Sequence, residues 1–122
     1  MARNRKNPSK PKPLPALRYL NAWLHVDPET GLLYWKRKVR GKQIGDVACY
    51  PTARGYRSIT ITYFGKSRIY RAHRICYALY HQQLPSIENP IDHDNRDRGD
   101  NSKINLIETT HQLNNLNRGG FA

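Results

Sequence analysis

The sequence predicts an α+β fold in two parts: a small antiparallel three-stranded sheet with a packed helix, followed by a strand-loop-strand-helix segment. Three observations support this prediction. Side chains in residues 55–63 alternate between apolar and polar, which is typical of a half-buried strand. Apolar residues recur at three- and four-residue intervals in residues 72–83, which is the spacing of one helix face. Residues 95–102 are rich in Asp, Asn and Gly, the residue types that form turns.

The charge of the chain is unevenly distributed. The 122 residues have a formal net charge of +12, and residues 1–87 carry 17 basic residues against three acidic ones. Residues 88–122 carry four basic and six acidic residues. A strongly basic body attracts polyanions, most commonly nucleic acid, with an anionic membrane surface as the rival partner. Carboxylates beside a polyanion are best explained by a divalent cation between them.

The membrane alternative has little support in the sequence. No apolar run approaches the roughly 20 residues that span a bilayer, and no segment has the apolar core of a signal peptide. We therefore expect a cytoplasmic protein with no membrane partner. Cys49 and Cys76 lack CxxC spacing and lie among apolar residues, which favours reduced, unreactive thiols.

Each element of the first part follows from local sequence. Residues 1–15 are rich in Lys, Arg and Pro and predict a disordered basic arm, which serves either solubility or phosphate contact. Residues 16–87 predict a platform with a short helix near 17–24 and a turn at 27–31. Three strands are expected at 31–38, 55–63 and 68–71, and the amphipathic helix at 72–83 packs on them.

The polar face of the predicted sheet is a candidate DNA contact. In this basic context it has the dimensions to lie in a major groove, although a solvated sheet face would look the same. The residues assigned to this contact are Arg54, Tyr56, Arg57, Ser58 and Thr60.

The last third of the chain carries the candidate chemistry. Ile91-Asp92-His93 ends a short strand, residues 104–108 return as a second strand, and Thr110 is a suitable N-cap for a helix. A carboxylate and an amide oxygen at such a junction can hold Mg²⁺. A neutral histidine beside them can accept the proton of an attacking water, because its pKa lies near neutral pH.

The polar residues of this segment follow a fixed order, which is Ile91-Asp92-His93-Asp94-Asn95-Arg96-Asp97, Asp100-Asn101, Asn105-Leu106, Thr110, Asn114 and Asn117. In this order the segment resembles the HNH endonucleases, whose nuclease site is a ββα-metal motif, and in particular their phage homing-endonuclease branch. Upstream, residues 31–38, 55–61 and 72–85 resemble the sheet-and-helix segment of that branch, which is sometimes compared to plant AP2 DNA-binding domains.

The resemblance implies a role for each matched residue. Asp92 and Asn114 would be metal ligands, and an amide ligand favours Mg²⁺ or Mn²⁺ over Zn²⁺. His93 would be the general base, and Asn105 would hold the His-bearing strand by bonding across the loop. Residues 88–118 would form the nuclease motif. Lys103 and Arg118 are candidate phosphate contacts, although charges at such positions are often only solvated.

Simpler interpretations exist for the same residues. Asp92 and His93 could form a strand-end salt bridge, and Asp97, Asp100 and Asn101 are better explained as loop-capping residues than as ligands. A calcium-binding EF-hand is excluded, because neither its glycine nor its bidentate glutamate falls at the required position.

The sequence thus predicts a metal-dependent endonuclease acting on double-stranded DNA as a monomer or homodimer, encoded by a phage and active in a host cell. Cleavage would leave a 5′-phosphate and a 3′-hydroxyl. The alternative is a DNA-binding module with a catalytically inactive site. An RNA-binding protein is a third possibility, but no RNP-like aromatic signature or GxxG loop supports it.

Overall fold

A β-hairpin at residues 57–71 and the helix that follows it form the centre of the fold. The computed structural model describes residues 13–109. Its elements, in chain order, are α1 (Leu17–Trp23), β1 (Leu24–Val26), β2 (Leu33–Trp35), β3 (Tyr50–Pro51), β4 (Arg57–Tyr63), β5 (Lys66–Arg71), α2 (Ala72–His81), β6 (Ile91–His93) and β7 (Leu106–Glu108). The predicted α+β class, with small antiparallel sheets, is confirmed.

The hairpin agrees closely with its sequence pattern. β4 and β5 pair antiparallel with Tyr63 opposite Lys66, so the connecting loop is only Phe64 and Gly65. Both loop residues have positive φ, 52° and 76°. This combination is typical of the type I′ turn, whose twist matches that of the flanking strands.

The third strand of this sheet was predicted wrongly. The sheet order is β3-β4-β5, and its third strand is the two-residue β3 rather than a strand from residues 31–38. β2 instead pairs antiparallel with β1. The turn at 27–31 explains the difference, because Gly31 donates to the Asp27 carbonyl and Asp27 donates back to Leu32. This short connection returns the chain to its neighbouring segment, and closing a short loop costs little entropy.

Helix α2 packs its apolar face on the sheet, as its periodicity predicts. It ends at His81, two residues earlier than the predicted 72–83, because Gln82 adopts the left-handed conformation and its N–H donates to the Ala78 carbonyl. Cys49 and Cys76 are free and buried, and the Cys76 thiol donates to the Gly31 carbonyl at 3.5 Å. Burial raises the pKa of Cys76 well above its usual value, which is consistent with the predicted unreactive thiol.

A single group of buried apolar side chains extends across the predicted boundary between residues 87 and 88. Leu20, Leu33, Ile59 and Ile61 belong to it from the first part of the chain. Ile91 on β6 and Leu106 on β7 belong to it from the second. The candidate nuclease segment therefore shares its core with the platform.

The second part forms the expected antiparallel pair, with His93 opposite Leu106. Its second strand starts later than the predicted residue 104, because 103–105 form a 3₁₀ turn in which the Asn105 N–H donates to the Ser102 carbonyl. The predicted helix after Thr110 lies outside the described residues, as do Asn114, Arg118 and most of the basic arm at residues 1–15. Within residues 13–109, no helix has the length and apolar character needed to cross a membrane.

Candidate functional site

Strand β6 places Asp92 and His93 at the mouth of the loop formed by residues 94–102. Adjacent strand residues point to opposite faces, so the His93 ring turns inward while the Asp92 side chain stays half-buried. The Asp92 Oδ1 accepts a hydrogen bond from the His93 backbone N–H at 2.9 Å. This contact uses the backbone rather than the ring, so the structure does not show the alternative strand-end salt bridge between the two side chains.

The partner of the His93 ring is Asn101, eight residues along the chain. The His93 Nε2 lies 2.8 Å from the Asn101 Oδ1. His93 is 6 % exposed and Asn101 is fully buried, so the contact is shielded from solvent. The prediction that Asn101 is a loop-capping residue rather than a ligand did not include this contact, in which its side chain faces the proposed general base.

Asp97 and Asp100 do act as loop caps. The Asp97 Oδ1 accepts from the Gly99 N–H at 3.0 Å. The Asp100 Oδ1 accepts from both the N–H and the hydroxyl of Ser102, and its Oδ2 accepts from the Asn95 amide. The hydrogen bonds from Ser102 lower the pKa of Asp100. These carboxylates are used in shaping the loop.

Asn105 closes the loop from the opposite side. Its Oδ1 accepts from the Asn95 N–H at 2.9 Å, and its Nδ2 donates to the Asn95 Oδ1 and to the Asp100 carbonyl at 3.0 and 2.8 Å. Its own carbonyl accepts from the Asp94 N–H. Asn105 thus makes cross-loop hydrogen bonds of the kind that the resemblance implied.

Two further aromatic rings lie beside the His93 imidazole. His73 meets it edge-on with ring centroids 5.0 Å apart, and Tyr56 lies 6.3 Å away while stacking on His73. Burial lowers the pKa of His73 to about 3, and the neighbouring His93 and the arginines 74 and 71 add to the effect. His73 is therefore neutral at physiological pH and packs against His93 as an aromatic ring.

The pKa of His73 predicts a pH dependence of stability. The folded state binds the proton less readily than the unfolded state, so unfolding becomes easier as pH falls below 6.5 and the effect is complete near pH 3. Between about pH 6 and pH 4, we expect wild type to lose about 2 kcal/mol more free energy of unfolding than His73→Phe. Urea unfolding at several pH values measures this difference. Parallel losses in both proteins would contradict the prediction.

Two arginines that were not predicted from the sequence to contact DNA lie beside the site. The guanidinium carbons of Arg71 and Arg98 lie 4.2 and 4.8 Å from the centre of the Tyr56 ring. Arg98 also donates to the Arg54 carbonyl at 3.1 Å. Arg71 could have been assigned to the same contact surface from the sequence, because the hairpin register places it directly opposite Ser58.

The remaining residues assigned to DNA contact differ in their accessibility. Arg54, Thr60 and Lys103 are exposed, and Tyr56 and Arg57 are half-buried. Ser58 is only 4 % exposed, which corrects the expectation that it belongs to an open polar face. Its cross-strand partners explain the burial, since the long side chains of Tyr50 and Arg71 flank the short serine.

The described residues supply one of the two proposed metal ligands. Within residues 13–109, no group of three or more His, Cys, Asp or Glu side chains is arranged to hold a metal ion. Asp92 provides a carboxylate, which is a hard oxygen donor suited to Mg²⁺ or Mn²⁺, and one of its oxygens is turned to the His93 N–H. The other proposed ligand, Asn114, lies outside the described residues. The donor chemistry fits the predicted cation.

The geometry can be compared with known proteins. No family model and no curated protein matches this sequence. A solved structure on DNA binding and cleavage by the HNH homing endonuclease I-HmuI is similar, with 22 % sequence identity and a TM-score of 0.59. The match covers 82 % of this chain and 55 % of that one, so the chain spans about half the length of that neighbour. The fold is HNH-like. The similarity to an AP2-like segment and the phage origin stay predictions.

Proposed function

We propose that this protein is a metal-dependent DNA endonuclease of the HNH type, of the phage homing or nicking kind. The observation that supports this best is the arrangement at β6, where Asp92 and His93 are adjacent and their loop is closed by Asn105. The HNH-like fold adds independent support. The substrate is double-stranded DNA, and the enzyme acts as a monomer or homodimer in the cytoplasm of a host cell.

His93 takes the role of general base in this proposal. It accepts the proton of the water that attacks the scissile phosphorus, the bond from phosphorus to the 3′ oxygen breaks, and the leaving oxygen takes a proton from solvent, giving a 5′-phosphate and a 3′-hydroxyl. The rings of His73 and Tyr56 limit the movement of the imidazole. Because burial lowers the pKa of His73 to about 3, His73 is a weak base and does not compete for the proton. General-base catalysis of this kind contributes about 10²- to 10⁴-fold to a rate.

Asp92 and Asn114 would hold Mg²⁺ or Mn²⁺ beside the scissile phosphate. Such an ion, when bound, stabilises the charge that develops on the phosphate and on the leaving oxygen. Asp92 suits this position because it precedes the general base on the same strand, which keeps the two side chains in a fixed relation.

The basic side chains around Tyr56 provide the contact with the DNA backbone. Arg71 and Arg98 place two guanidinium groups against the ring that borders His93, and guanidinium groups bind phosphate oxygens well. Arg54, in the turn before β4, and Arg57 and Thr60, on β4 itself, would add further contacts. Lys103 and Arg118 would add phosphate contacts on the loop side. A net charge of +12 strengthens all of these contacts at low salt.

Conversion of supercoiled plasmid to open circles tests the proposal. We expect conversion with Mg²⁺, none with EDTA, and a loss of at least about 10²-fold in rate for His93→Ala. His25→Ala is the matched control, because His25 is exposed on β1 and should leave the rate unchanged. Linear DNA from the source genome serves as a second substrate, in case a cognate sequence is required.

A gel shift over a range of salt concentrations accompanies the cleavage assay. Retained DNA binding by His93→Ala would show that the variant lost chemistry rather than affinity. Salt-sensitive binding by wild type without cleavage of either substrate would overturn the enzymatic proposal and favour a DNA-binding module with an inactive site.

A further inference from the structure

The buried contact between His93 and Asn101 favours a proton on one particular imidazole nitrogen. An amide oxygen can only accept a hydrogen bond, so the Nε2 that faces the Asn101 Oδ1 at 2.8 Å must donate. We propose that Asn101 is a positioning residue that holds neutral His93 as the Nε2–H tautomer and leaves Nδ1 as the proton-accepting atom. This inference rests on the proposed nuclease function for its catalytic meaning.

The burial of both partners makes the preference strong. Asn101 is fully buried and His93 is 6 % exposed, so water does not replace the contact. In the opposite tautomer, two lone pairs would face each other in this protected space. Leaving a buried acceptor without a donor disfavours that tautomer, and shifts the equilibrium between the two tautomers by roughly tenfold to a hundredfold. A wrong tautomer in a histidine base lowers a reaction rate, because the unprotonated nitrogen points away from the water.

The backbone of Asn101 is fixed by the platform. The Tyr80 hydroxyl donates to the Asn101 carbonyl at 2.6 Å. Gly31 lies so close that a Cβ built on it would be 2.2 Å from the Asn101 carbonyl carbon. The Lys103 N–H donates to the Pro28 carbonyl at 2.9 Å and fixes the chain just beyond. These contacts hold the amide in register with the imidazole.

The two ends of the Asn101 amide have different surroundings. Its Oδ1 bonds to His93, whereas its Nδ2 is buried and has no hydrogen-bond partner among residues 13–109. If the amide were rotated, Nδ2 would face the ring, and the Nδ1–H tautomer would be favoured instead. The two orientations therefore make opposite predictions about the imidazole.

Nuclear magnetic resonance of the full chain labelled with ¹⁵N-histidine tests this inference without any cleavage. At about pH 8.5, where an ordinary histidine is neutral, we expect a protonated-type nitrogen shift for His93 Nε2 and an unprotonated-type shift for Nδ1. The spectrum of His93→Ala identifies the signals by their disappearance. A protonated Nδ1 in wild type would overturn the inference.

Two substitutions at Asn101 separate hydrogen bonding from packing. Asn101→Leu keeps a similar volume but removes the acceptor, so we expect mixed tautomers and a tenfold to hundredfold loss of plasmid cleavage with DNA affinity unchanged. Asn101→Asp keeps an oxygen acceptor and should retain the Nε2–H tautomer. Asn21→Leu is the control, because Asn21 pairs with Gln82 away from the site.

The outcomes distinguish this inference from the proposed function. A single Nε2–H tautomer in a protein that never cleaves DNA would contradict the nuclease proposal but support the role of Asn101. An unchanged tautomer in Asn101→Leu would overturn that role even if wild type cleaves DNA. If Asn101→Leu does not fold, as judged by circular dichroism, the wild-type and Asn101→Asp spectra still decide the question.

Discussion

Replacing Gly31 with alanine should lower the free energy of unfolding by at least about 3 kcal/mol and strongly reduce cleavage. Gly31 has a φ of +75°, a conformation that costs a residue with a Cβ about 1–2 kcal/mol. The added Cβ would also lie 2.2 Å from the Asn101 carbonyl carbon and 2.6 Å from the Ser102 nitrogen. Both atoms are backbone, so relief requires the loop that faces His93 to move.

Gly41→Ala is a matched control for this substitution. Gly41 has nearly the same φ, +76°, but no atom lies within 4 Å of the position its Cβ would take. Urea unfolding of both variants therefore separates the conformational cost from the clash, and we expect Gly41→Ala to lose only about 1–2 kcal/mol. Equal losses in the two variants would mean that the contact between Gly31 and Asn101 is not tight in solution.

Asn105→Ala should open the loop of residues 94–102 while leaving the hydrophobic core intact. The substitution removes three side-chain hydrogen bonds and leaves the Asn95 N–H and the Asp100 carbonyl without these partners. At about 1 kcal/mol for each lost bond, the local cost is about 3 kcal/mol. Because His93 precedes this loop, we expect cleavage to fall by at least about tenfold.

Amide hydrogen exchange gives a direct measurement of that opening. The Asn95 N–H should exchange about a hundredfold faster in Asn105→Ala, while amides of β4 keep their protection. Asn21→Ala removes a side-chain pair of comparable size outside the loop and should change neither exchange at Asn95 nor cleavage. Uniformly faster exchange throughout the described residues would indicate global destabilisation rather than a local role for Asn105.

The elements that the sequence predicted well are those with a strong local pattern. The β4–β5 hairpin combines an alternating run at residues 58–63 with a two-residue turn in which both φ angles are positive, and α2 has one continuous apolar face. β6 was recognised from three residues only because the surrounding motif restricted the choices. In each case the information lies within a dozen residues, which is the range over which periodicity operates.

The errors arose where pairing depends on distant residues. The two residues of β3 are too few to show any alternation, and β2 pairs with β1 because a tight turn brings them together. Ser58 alternates correctly, yet its longer neighbours across the sheet cover it.

The candidate site shows the same limit. Asp92, His93 and Asn105 were assigned from motif spacing, but the role of Asn101 was not, because its contact with His93 depends on how the loop folds. No local pattern indicates that Gly31, seventy positions earlier, must be small for Asn101 to fit.

The contacts of Asn101 with Gly31 and Tyr80 also bear on how such a site can be inherited. A recombination event that transplanted residues 88–118 alone would carry the whole motif but leave both of these supports behind. Residues 88–118 therefore do not contain all the contacts that position Asn101, although their motif is continuous in sequence. A fusion to a new domain that is meant to keep this site intact should carry the chain from residue 17 onward as one piece, because Leu20 and Leu24 belong to the same core as Ile91 and Leu106.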